Sequence, residues 1–206
     1  MSVGLNTGNA KAALIHRGDD LYETPAVAVT ALLGAEKLPQ YIWEPACGPG
    51  AIVRVLRAAG HTVLGSDLVD YGDSTHFYGR DFLMERQAPA GTEAIVTNPP
   101  FKLAGEFVSH ALDLVPRVAM LLRLAFIESE RRRPILDTGH LARVHVFRNR
   151  LPMMHRSGRG TQIAKTNSSA MAFAWFVWDL ASTGPTELHR ISWDHPPAGN
   201  AGAEYI

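Results

Sequence analysis

A chain of 206 residues, 46% hydrophobic and 19% charged, has the composition of a soluble globular protein with room for one sizeable core. It contains no run of eighteen or more apolar residues and no basic segment leading into an apolar one at the N-terminus, so neither a membrane span nor a signal peptide is expected, and a cytoplasmic setting is. The formal net charge of zero argues against indiscriminate coating of nucleic acid, while the lone Cys47 and nine scattered histidines exclude an internal disulfide and point away from a metal site.

Residues 1–20 are mixed and polar, as in a loosely ordered arm. In Asp20-Leu21-Tyr22-Glu23-Thr24-Pro25, Thr24 is placed to cap a helix and Pro25 to open it, and the helix should run to about Leu38. Tyr41-Ile42-Trp43 then reads as a first buried strand running into Glu44-Pro45-Ala46-Cys47-Gly48-Pro49-Gly50. Ile52, Val53, Leu56 and Ala59 recur at helical spacing with Arg54 and Arg57 facing outward, and Gly60 supplies the stop. A second strand over 62–67 follows, then a loop with Tyr71, Phe77 and Tyr78 leading to Arg80-Asp81-Phe82-Leu83, then a strand over 94–96. Apolar positions from Leu103 to Val115 mark a helix ended by Pro116, and 118–124 forms another buried strand. Short apolar strands alternating with helices predict an α/β fold, a parallel sheet covered on both faces.

Beyond Leu141 the texture changes. Val144 and Val146 alternate with Arg143, His145 and Phe147 as in a half-exposed strand, and 171–178 is an apolar and aromatic run long enough for another. Between them, residues 156–169 have no core face and read as a mobile basic loop; the tail from Ser192 looks weakly ordered. No internal repeat or second-domain boundary is visible, so residues 1–206 are expected to form one domain with a core over 21–180. The charge is unevenly placed. From Arg131 to Lys165 there are nine basic residues, among them Arg148, Arg150, Arg156 and Arg159, against one acid, Asp137, for a net +8.

Thr97-Asn98-Pro99-Pro100-Phe101 leaves the end of a buried strand, where open α/β sheets place their ligands. The Asn98 amide oxygen and the Pro99 carbonyl can both accept hydrogen bonds, neither proline donates one, and Phe101 can stack on a flat ring. That suits a planar amine, although Asn-Pro-Pro is also an ordinary turn after a strand. Upstream, the two glycines after the first strand let the backbone approach a ligand closely, and the next helix offers its N–H groups. The third glycine of a dinucleotide fingerprint is replaced by Val53, which counts against NAD. Glu44 can accept from an ammonium, Asp67 from ribose hydroxyls, and Asp81 with Phe82 can bind an adenine edge and cover its face. Taken singly, Glu44 could be a satisfied loop acid, Asp67 a helix cap and Asp81 a turn residue.

These elements, in this order, resemble a class I S-adenosylmethionine-dependent methyltransferase of the Asn-Pro-Pro-Phe, amino-methylating type, over roughly residues 20–180. The resemblance implies a Rossmann-like, seven-stranded, mostly parallel sheet whose last strand is antiparallel, with helices on both faces. It implies cofactor contacts at Tyr22, Thr24, Pro25, Glu44, Pro45, Ala46, Cys47, Gly48, Gly50, Asp67, Leu68, Asp81, Phe82 and Asn98, and a catalytic loop at Asn98, Pro99, Pro100 and Phe101. Cys47 would be a small loop residue rather than the nucleophile of cytosine ring-carbon methyltransferases. The basic segment then becomes a phosphate-binding surface at Arg148, Arg150, Arg156, Arg159 and Lys165. Adenine in DNA is the expected target, as in small phage-type enzymes, although no separate target-recognition domain is evident. The alternatives are adenine or guanine in RNA, a protein glutamine amide, and a non-catalytic module that binds S-adenosylmethionine. The recognised site and the oligomeric state are left open.

Overall fold

The computed structural model of the chain describes residues 22–152, 154–155 and 171–194. In chain order they form β1 (Tyr22–Glu23), α1 (Ala26–Ala35), β2 (Tyr41–Glu44), α2 (Ala51–Ala58), β3 (Thr62–Asp67), β4 (Phe77–Tyr78), β5 (Ala94–Thr97), α3 (Ala104–Leu114), β6 (Arg117–Arg123), α4 (Arg133–Leu136), β7 (Leu141–Phe147), β8 (Met154–His155), β9 (Phe173–Asp179) and β10 (Glu187–Ile191). Eight strands make one sheet in the order β10-β7-β9-β6-β5-β2-β3-β4, while β1 and β8 pair separately and antiparallel. All pairings in the main sheet are parallel except those of β9, which runs antiparallel to both β6 and β7.

The expected antiparallel strand is therefore present, with two corrections. Among the described residues the sheet has eight strands rather than seven, and the antiparallel strand β9, between β6 and β7, is not the last in sequence, since β10 returns parallel on the edge beside β7. The sequence of β10, Glu-Leu-His-Arg-Ile, hides it, because an edge strand with exposed side chains carries no apolar run. Phe77 and Tyr78, read as loop, form the short edge strand β4.

Alternation along the central strands divides the core into two clusters, one on each face of the sheet. Ile42, Val96, Ala119, Leu121, Trp175 and Val177 pack with Ala28, Val29 and Leu32 of α1 and Ile52, Val53 and Leu56 of α2. Trp43, Ile95, Met120, Leu122, Phe176 and Trp178 pack on the other face with Phe107, Val108 and Ala111 of α3. The indoles of Trp175 and Trp178 satisfy their buried N–H groups on the carbonyls of Ala28, at 2.9 Å, and Ile135, at 2.7 Å.

α1 begins at Ala26, one residue later than expected, and ends three residues earlier, at Ala35. Pro25 takes the cap position in extended backbone, so Thr24 lies one residue outside it and its hydroxyl accepts from Asn98 instead. At the other end Glu36 leaves the helix in extended backbone, with its carboxylate against Arg143 and 2.6 Å from His145 Nε2. That cluster also corrects the picture of a half-exposed β7: His145 is buried, and so are Val144 and Phe147.

The glycine loop is locked by a side chain the sequence did not single out. The His76 ring is buried against both Gly50 and Gly65, and a Cβ added at Gly65 would sit 2.6 Å from its Cδ2 and 3.1 Å from Val53 Cγ2. Overpacking of this kind costs about 1–3 kcal/mol. Gly65→Ala should lower the urea midpoint accordingly, and His76→Ala combined with it should recover part of the loss. Equal midpoints for Gly65→Ala and the wild type would contradict this packing.

Candidate active site

Parallel pairing carries the carboxyl ends of β2, β3, β5 and β6 to one edge of the sheet, and the loops that leave those ends meet there. After β2 the chain turns through Gly48 (φ 52°) and Gly50 (φ 83°), both in the left-handed region that other residues rarely enter. The turn is tied to β3 in two places. Cys47 N–H donates to the Ser66 carbonyl at 3.0 Å, and Gly48 N–H to Asp67 Oδ2 at 2.8 Å. Asp67 also accepts from Val69 N–H at 2.9 Å through Oδ1, so the predicted ribose acceptor holds the glycine loop as well.

Glu44 is buried beneath this turn and accepts from Val53 N–H at 3.0 Å. Burial pushes its carboxyl well above the usual range, and the neighbouring Asp67 charge adds to the effect. A cationic ligand at this point would stabilise the ionised form, which fits an ammonium group. Burial likewise drives the Cys47 thiol far up, so that it is not a nucleophile at neutral pH. Pro45 is buried and Ala46 half-buried beside it; Leu68, at the end of β3, is exposed.

Asp81 reaches the same edge because Arg80 N–H donates to the Asp67 carbonyl at 3.1 Å. It is exposed and caps the turn at 82–84 by accepting from Leu83 N–H at 3.1 Å. The Phe82 ring behaves differently from expectation. It is buried in the core, edge-on to Trp43 at 5.3 Å and tilted against Phe107 at 4.8 Å, and does not cover an open face at the site. The cause is the aromatic cluster beneath the turn, which gains more from that ring than an exposed position would.

Asn98 follows β5 directly. Its amide nitrogen donates to the Thr24 hydroxyl at 3.1 Å, which orients the planar amide from 74 residues away. Pro99 is buried and Pro100 half-buried. Phe101 leans on Phe173 at 5.6 Å, and the Arg123 guanidinium lies 4.5 Å from its ring centroid. One face of the expected stacking platform is thus already taken by a cation. Sequence reading missed Arg123; the signal was an arginine directly after the apolar run Val-Ala-Met-Leu-Leu of β6.

Beside Phe173 a cleft of about 220 Å³ is lined by Phe147, Arg148, Asn149, Arg150 and Ala172, so Arg148 and Arg150 come to the edge that holds Phe101. Three other basic residues of the +8 segment have internal work. Arg132 donates to the carbonyls of Phe126 and Glu128, Arg133 pairs with Glu130 and Asp137, and Arg143 pairs with Glu36. Residues 1–21, the side chain of Tyr22, Arg156, Arg159 and Lys165, and the tail beyond Asp194 lie outside the described residues. The Tyr22 backbone pairs with His155, and Glu23 with Met154, in the antiparallel β1–β8 ladder.

No protein-family model matches the chain and no curated protein matches it. Solved structures do. The modification subunit of a proposed type I restriction enzyme from Vibrio vulnificus matches 97% of this chain and 55% of its own, at 14% identity and a TM-score of 0.56. A proposed RNA methyltransferase from Pyrococcus horikoshii matches 84% of this chain and 98% of its own, at 13% identity and a TM-score of 0.53. The chain thus spans about half the length of the modification subunit it matches. The fold is the Rossmann-like α/β fold of methyltransferases. Among the described residues no helix is long and apolar enough to cross a membrane.

The raised pKa of Glu44 has a consequence for stability. Since the folded chain holds this proton more tightly than the unfolded chain, stability falls as pH rises from the ordinary value of 4.5 through the folded pKa. Glu44→Gln mimics the protonated acid, so its urea midpoint should match the wild type near about pH 4 and exceed it near about pH 8. A constant difference across that range would contradict a raised pKa.

Proposed function

We propose that the chain is an S-adenosylmethionine-dependent N-methyltransferase whose target is the exocyclic amine of adenine in nucleic acid, with DNA favoured. The observation that carries this reading is the orientation of the Asn98 amide by Thr24 at a strand end that lies between a cation-accepting acid, Glu44, and an arginine-lined cleft. The donor set fits the cofactor: a buried carboxyl suits an ammonium, Asp67 a ribose, and the Gly48 to Gly50 turn a close backbone approach. When bound, the cofactor supplies an electrophilic methyl group on a sulfonium.

The rest falls to the chain's own residues. An exocyclic purine amine is a poor nucleophile because its lone pair is delocalised into the ring. The Asn98 amide oxygen and the Pro99 carbonyl accept its two N–H bonds and favour a tetrahedral nitrogen with its lone pair directed at the methyl. Both acceptors face the positive charge that develops on nitrogen, so they bind the transition state more strongly than the ground state. Holding the amine in line contributes on the order of 7 kcal/mol. A target in a duplex must first be flipped out, and Phe101, held on one face by Arg123, borders the pocket that receives it. Arg148 and Arg150, with Arg156, Arg159 and Lys165, contact phosphates without regard to sequence.

RNA is the second reading, and one observation favours it. The match to the Pyrococcus horikoshii protein runs over nearly its whole length, whereas the modification subunit is matched over about half.

Labelled methyl from S-adenosylmethionine should enter adenine when DNA, RNA and protein are offered in parallel, with DNA the preferred acceptor. Label in RNA alone would select the second reading, label in protein glutamine would reject both, and cofactor binding without transfer to any acceptor would indicate a binding module. Asn98→Ala should abolish transfer with cofactor affinity nearly unchanged; a large loss of affinity would assign Asn98 to the cofactor instead. Replacing Arg148 and Arg150 by Ala should flatten the salt dependence of nucleic-acid binding by about one unit of slope each. An unaltered slope would mark them as a solvated face.

A further inference from the structure

We infer that Arg123 is a second reader of the target, donating its Nε–H to the ring nitrogen that flanks the methylated amine. The inference rests on the proposal that the target is an amine on a purine.

Arg123 closes β6, whose five preceding residues are all buried. The register pairs Thr97, the last residue of β5, with Met120, and Arg123 ends β6 three residues further on, at the edge where the catalytic loop leaves β5. From there the guanidinium lies 4.5 Å from the Phe101 ring centroid. A π-face attracts the charge, yet offers no lone pair in the guanidinium plane. The Nε atom is buried and has no hydrogen-bond partner among the described residues. Buried charged donors are rarely left unmatched, and each unmatched one costs free energy that a ligand acceptor can recover.

The chemistry of that acceptor follows from what adjoins it. Arg148 and Arg150 are exposed at the outer cleft, where phosphates are accessible, whereas Arg123 ends β6 at the edge where the loop that grips the amine leaves β5. In adenine the amine is flanked by N1 and N7, both lone-pair acceptors in the ring plane. With both N–H bonds of the amine held by Asn98 and Pro99, an in-plane donor beside the loop meets one of these nitrogens. The guanidinium also fixes Phe101, which leans on Phe173, so one side chain sets both the ring and the donor.

The test uses the full chain and oligonucleotides that carry adenine, 1-deazaadenine or 7-deazaadenine at the position methylated by the wild type. For the wild type, kcat/KM should fall about 10- to 100-fold on one of the two analogues, the loss expected of a hydrogen bond to a charged donor. Arg123→Ala should show a similar loss on adenine itself and no discrimination between adenine and that analogue, with cofactor affinity unchanged by calorimetry. Arg123→Lys keeps the cation and the long stem without the planar fork, and should also lose the discrimination. If Ala is poorly folded, Lys carries the test. Discrimination retained by either folded variant, or full transfer by Lys, would overturn the inference. A wild type that methylates adenine yet treats both analogues like adenine would overturn it while leaving the proposed function intact. A wild type that methylates no nucleic acid would overturn both.

Discussion

The site depends on one constraint, the parallel pairing of β3, β2, β5 and β6. Parallel strands must all end at the same edge, and the crossovers that return the chain place α2 on one face, where α1 also packs, and α3 on the other. Glu44, Asp67, Asn98 and Arg123 are each the last residue of one of these strands or the first residue beyond it. Four polar side chains distant in sequence are thereby concentrated along one edge, above a core that excludes water from the strands themselves.

Much of this arrangement was legible because β2 and β5 are short apolar runs, each followed by a loop with an unusual composition. Tyr41-Ile42-Trp43 before a two-glycine loop, and Ala94-Ile95-Val96 before Asn-Pro-Pro, locate both halves of the candidate site without coordinates. What stayed hidden depends on partners far apart in sequence. Thr24 looks like a helix cap until its hydroxyl is seen to receive the Asn98 amide. Phe82 looks like an adenine cover until Trp43 and Phe107 claim its ring. His76 has no local pattern at all, and its place against Gly50 and Gly65 follows only from the return of the chain to pair β4 with β3. β10 escaped notice because its exposed residues carry no strand signature.

The basic segment shows how composition can overstate a surface. Arg132, Arg133 and Arg143 stabilise the turns and the edge around β7, in part by satisfying backbone carbonyls and the buried Glu36 carboxylate. Arg148 and Arg150 alone among the described members line the cleft beside Phe173. Charge counted along the chain and charge presented at a cleft are different quantities.

The central claim is that one strand-end edge holds both a methyl donor and the amine that receives the methyl. It is tested most directly by the structure of the chain bound to S-adenosylhomocysteine, the demethylated cofactor. The account predicts the ligand ammonium at Glu44, its ribose at Asp67 and its sulfur directed toward Asn98. A ligand bound elsewhere, or in this pocket with its sulfur turned away from Asn98, would contradict it.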